Sequence, residues 1–167
     1  MDIFQIKLKV LRDSLYDKEN ILTAILGITE NLEAVYNALL TVDPSDAENL
    51  RSMINEMNAQ KQALIDQVIS NDSAFQTIFG ELNSNPDEFD ENCRLNKVII
   101  EDMQKEIRAL TDLDMKIRLN EKRNEIMARG LTGHARKPVV DIPKESPRRL
   151  IEAYQRNTRL GKLKKRT

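Results

Sequence analysis

The chain has 167 residues, 32 % of them charged, with five glycines, five prolines, no tryptophan and only 4 % aromatics. So few turn residues and aromatic or β-branched runs exclude a β-sandwich or a doubly wound sheet, and the length suits one domain rather than two. The net charge of −1 conceals a division: residues 129–167 carry 12 Lys and Arg against 3 Asp and Glu, a balance of +9, and the other 14 basic and 24 acidic residues leave the first 128 positions at −10.

Taken in order, the pattern predicts an all-α fold. Residues 1–130 are expected to form an elongated antiparallel bundle of three long helices, and residues 131–167 a basic, partly disordered linker and tail carrying a short helix. Helix 1 is expected over 3–40. Phe4, Leu8, Leu11, Leu15, Lys18, Leu22, Ile25, Thr29, Leu32, Tyr36 and Leu39 recur in alternating steps of four and three, the seam of a left-handed coiled coil. Ile21, Leu26, Ile28, Val35 and Leu40 widen the stripe, so the second half meets two neighbours.

Asp43-Pro44 breaks the helix and starts the next. Proline disfavours helical geometry in the residue before it and suits a first helical position, and Ser45-Asp46-Ala47-Glu48 fits a capping box. Helix 2 is expected over 44–82. Ser70-Asn71-Asp72-Ser73 are poor helix formers, but the apolar seam runs in phase across them to Phe75, Ile78 and Leu82, which favours one helix, bent near Asn71, over two.

Helix 3 is expected as one span over 86–129. Asn85-Pro86-Asp87-Glu88 supplies a cap acceptor, a proline at the first position and acids at the positive end of the helix dipole. Arg129-Gly130-Leu131 suits a left-handed glycine ending. Its seam reads Phe89, Cys93, Asn96, Ile100, Met103, Ile107, Leu110, Asp114, Ile117, Glu121 and Asn124. From Asp114 onward that line is polar, which suits either a solvated helix end or a partner met through hydrogen bonds. Residues 130–145 read as an extended linker punctuated by Pro138 and Pro143, and 147–160 as a short helix with Leu150, Ile151 and Tyr154 on one face.

Catalytic signatures are absent: there is no P-loop, no G-x-G-x-x-G, no nucleophile elbow and no pair of metal-ligand histidines. The single histidine, His134, lies in the linker, and Cys93 reads as a small buried residue. Asp112, Asp114 and Glu121 lack the Glu-x-x-His pattern of helical di-metal sites. The expectation is therefore a non-enzymatic protein with no cofactor, metal or small-molecule substrate. No run reaches the ~18 apolar residues of a membrane span, and Met1-Asp2-Ile3 lacks the layout of a secretion signal, so a cytoplasmic protein is expected. The basic tail could attract nucleic acid, but Tyr154 is its only stacking side chain and no recognition module accompanies it.

The ending of helix 3, Leu110-Thr111-Asp112-Leu113-Asp114-Met115-Lys116-Ile117-Arg118-Leu119-Asn120-Glu121-Lys122-Arg123-Asn124, resembles the closing helix of FlgN- and FliT-type flagellar export chaperones. The earlier layout is similar too: a long first helix, then a second containing Leu64-Ile65-Asp66-Gln67-Val68 with Phe75 and Phe79 following. The long basic tail departs from that pattern. The resemblance implies a helical chaperone of type III flagellar export that holds an amphipathic terminal segment of a hook-associated substrate and delivers it to the cytosolic part of the export gate. It also implies a gate-docking tyrosine near the C-terminal end, a role that falls by position on Tyr154. Physically, three long helices leave a groove that an amphipathic helix can fill. The candidate partner-binding residues are Met103, Ile107, Leu110, Ile117, Glu121 and Asn124 with Leu150, Ile151 and Tyr154, and Met53, Met57, Met103 and Met127 are the adaptable side chains near such a groove. The rival reading is a structural coiled coil whose seam is satisfied by homo-oligomerisation.

Overall fold

Helix α1 (Ile3–Leu39) is the element that the others pack against. It starts at Asp2, whose backbone is extended and whose carboxylate accepts the Gln5 N–H at 2.7 Å, so one orphan amide of the first turn is satisfied. A computed structural model describes residues 2–131; residues 132–145 of the expected linker, the short helix expected over 147–160 and the candidate residues Leu150, Ile151 and Tyr154 lie outside them.

Helix α2 (Pro44–Leu82) follows a four-residue turn and has Pro44 at its start. The cap residue is Asp43, with no side-chain cap bond, so the Ser45–Glu48 capping box is not used and those residues fall inside the first turn. The helix passes unbroken through Ser70–Ser73 because α1 supplies partners there. Ser14 Oγ donates to Asn71 Oδ1 and Asn71 Nδ2 donates to the Ser14 carbonyl, each at 3.0 Å, while Lys18 pairs with Asp72 at 2.8 Å. Side chains that would compete with the helix are instead bonded across the interface. Lys7–Glu81 and Ser14–Asn71 rise along α1 as they fall along α2, so the two run antiparallel.

The single third helix is corrected to two, α3 (Pro86–Leu95) and α4 (Lys97–Leu131). Asn85 caps α3 as expected, accepting the Glu88 N–H at 3.3 Å. At Asn96 the backbone leaves helical geometry (φ −119°, ψ 38°), and its side-chain amide donates to the Asn92 carbonyl at 2.8 Å, a local bond that competes with helix continuation. This one-residue turn rotates α4. Ile99, Met103, Glu106, Leu110, Ile117 and Asn124 face inward, and Ile107, expected on the seam, is 47 % exposed. Gly130 does not end the helix in a left-handed conformation; α4 runs through it to Leu131.

Tyr16–Asp102 and Thr29–Asn124 rise together, so α4 runs parallel to α1. Along their length α2 and α4 both pack on α1, and no comparably extended backbone contact joins them to each other. The main core (Leu8, Leu11, Leu15, Leu22, Ile25, Val68, Ile99, Met103, Leu110, Ile117) draws on α1, α2 and α4. A second cluster, Leu32, Val35 and Ile54 with Tyr36, Leu39, Leu50 and Met57 around it, belongs to α1 and α2 alone. A polar layer lies near their boundary: Thr29, fully buried, donates to the Ile25 carbonyl, and Asn124 Nδ2 donates to the Thr29 carbonyl at 3.0 Å. All four phenylalanines gather at the opposite end, where Phe89 meets Phe4 and Phe79 edge-on (5.9 and 5.7 Å between centroids) and Phe75 stacks on Phe79.

Candidate functional site

The end of the bundle that lacks a three-helix core carries an open cleft of about 650 Å³. Tyr36 and Leu39 of α1, Val42 of the turn, Pro44, Ala47, Arg51 and Ile54 of α2, and Ala128 and Leu131 of α4 line it. Its origin is a mismatch in side-chain size. Where α1 and α2 present Tyr36, Leu39 and Ile54, α4 answers with the small Ala128 and, at its last residue, Leu131, which leave the third side open. The walls are apolar except for Arg51 and the Tyr36 hydroxyl. Burial raises the Tyr36 pKa, opposed by a hydrogen bond with Asn58, so the phenol stays protonated and can donate.

Of the residues singled out from sequence, Met103, Leu110, Ile117 and Asn124 are buried in the α4 interface, the first three in the main core. Glu121 is half-buried and pairs with Lys61 of α2 at 3.7 Å. Only Ile107 among them presents much apolar surface to solvent. The four methionines form no continuous lining: Met53 is exposed, Met103 buried, and Met57 and Met127 half-buried. Reasoning from the seam missed the cleft because its lining is set by where small residues, Ala47 and Ala128, oppose large ones. Both alanines were visible in the sequence; their juxtaposition across three helices was not.

The other candidate chemistry resolves into helix pairing. Asp114 is paired with Arg118 at 3.3 Å, and Asp112 is exposed. Cys93 is half-buried, and burial with the nearby Asp90 pushes its thiol pKa up, away from the reactive thiolate. Among the described residues no group of three or more His, Cys, Asp or Glu is placed to hold a metal ion, and no helix is long and apolar enough to cross a membrane.

The class these observations define is an all-helical bundle with an unfilled apolar end. No family model matches the chain, and no curated protein or solved structure matches it.

Proposed function

We propose that the chain is a non-enzymatic flagellar export chaperone acting in the cytoplasm, which holds an amphipathic terminal helix of a hook-associated substrate and hands it to the export gate. The observation that carries this reading is the cleft between α1, α2 and α4, an apolar surface left open where α4 contributes Ala128 and its last residue, Leu131. The order of the long helices and the residues of the α4 ending, which resemble that chaperone family, supply the class of client. An amphipathic helix laid over the open end brings large side chains at i, i+3, i+4 and i+7, each anchor contributing roughly 1.5–3 kcal/mol before ordering costs. Two or three such anchors give the reversible affinity that delivery requires. Tyr154 is assigned to docking at the gate, so Tyr154→Ala leaves client capture intact and weakens secretion.

Affinity capture from a flagellated cell followed by mass spectrometry tests the reading. A hook-associated protein recovered one-to-one supports it. Recovery of the chain only with copies of itself overturns it in favour of a structural coiled coil.

A further inference from the structure

The α2 wall of the cleft carries one charged side chain in the middle of an apolar stripe. Pro44, Ala47, Arg51 and Ile54 follow one another in steps of three, four and three, so they share a single face of α2. Arg51 stands ~6 Å along the helix axis from Ala47 and ~4.5 Å from Ile54, inside the stripe rather than at its edge. Ile54 is buried beneath the cleft, and Arg51 is exposed in it.

No protein group neutralises this cation. Among the described residues no carboxylate pairs with Arg51, and none of the side chains lining the cleft is acidic. The other arginine at this end, Arg129, is closed on Glu125. Asp46 and Glu48 flank the stripe on α2, but neither lines the cleft. The one other polar group in the lining is the Tyr36 phenol on the α1 wall, which can also donate. The cleft therefore offers apolar surface and hydrogen-bond donors, with a single positive charge on a body that carries −10 over its first 128 residues. A helix closing over it strips water from the guanidinium, which weakens binding unless the visitor brings an acceptor.

We propose, resting on the reading of the cleft as a client-helix site, that Arg51 selects clients by a side-chain carboxylate set within their apolar stripe. Large apolar side chains of the client pack on Leu39 and Ile54, and an Asp or Glu one turn along pairs with the guanidinium. The planar fork of arginine takes both oxygens of one carboxylate in parallel, so the acid fixes the register of the client helix as well as adding affinity. A client whose acids all lie on its polar face covers Arg51 without pairing it and binds more weakly.

Fluorescence anisotropy of the full chain with two labelled amphipathic peptides, each about five helical turns long, tests it. Both carry leucines at i, i+3, i+4 and i+7 spacing and one glutamate. In the first the glutamate interrupts the leucine stripe; in the second it is exchanged with a glutamine of the opposite face. Composition and net charge are equal, so the general repulsion from the acidic body cancels. The first peptide is expected to bind about tenfold tighter, and Arg51→Gln, at an exposed position, should bring the two affinities together. Equal affinities in the wild type, or a preference that survives Arg51→Gln, overturn the role of Arg51 alone, so long as Ala128→Trp still weakens both peptides. If Ala128→Trp weakens neither, or neither peptide binds the wild type, the client-helix reading of the cleft falls with it.

Discussion

At the scale of single residues, polar groups in the interior decide the pH and specificity behaviour. Glu106 is held above its ordinary carboxyl range, so its folded form binds a proton more tightly than the unfolded chain does. The stability tied to that proton is complete below the unfolded pKa, ~4.5, and is lost as pH rises through about 7. The urea midpoint of the wild type should therefore drop between pH 5 and pH 8. Glu106→Gln should flatten that drop and be more stable at pH 8, by on the order of 2 kcal/mol. Asn124 acts in the opposite sense, since its amide satisfies the Thr29 carbonyl inside the bundle. Asn124→Ala should cost about 1–3 kcal/mol in chemical denaturation, with little dependence on pH. The sequence marked Asn124 and Thr29 as polar seam positions, and their burial follows from that seam. It gave no reason to place Glu106 inside.

At the scale of the element, what could be read depended on whether one pattern dominated. Helix α2 was legible because Pro44 opens it and its seam keeps phase through Asn71 to Leu82. The α3–α4 region was not, because two registers are equally apolar. Ile100, Met103, Ile107, Leu110, Asp114 and Ile117 include one acid, and so do Ile99, Met103, Glu106, Leu110, Leu113 and Ile117. A single non-helical residue chooses between them, and an asparagine inside a long helical pattern is too common to announce a break. Asn96→Ala removes the competing side-chain bond and improves helix propensity by ~0.6 kcal/mol. It should join α3 to α4 and raise helicity by circular dichroism. Straightening the join also rotates Phe89 away from Phe4 and Phe79, so the thermal midpoint should not rise with the helicity. A parallel rise in both would show that the turn has no packing role.

At the scale of the whole molecule, α1 is common to both interfaces, and the two helices on it meet different fates along their length. Toward the Phe4 end α1, α2 and α4 all contribute core; toward the Leu39 end α4 offers Ala128 and its last residue, Leu131, and the cleft opens. Filling it tests its use directly. Ala128→Trp should reduce client capture by at least about tenfold in a binding titration, because one lost anchor is worth roughly 1.5–3 kcal/mol, while stability stays equal or rises. Unchanged capture would move the binding surface elsewhere, with Ile107 and its neighbours the next place to probe. Clustering every phenylalanine at one extremity also gives this rod a polarity that no single contact conveys. The aromatic extremity behaves as a clamp and the Leu39 extremity as a free lip, so heat or a protease should fray the molecule from the lip inward. A visitor seated at that lip would stiffen the part that yields first, and its arrival should register as a delayed onset of melting more than as any change of shape.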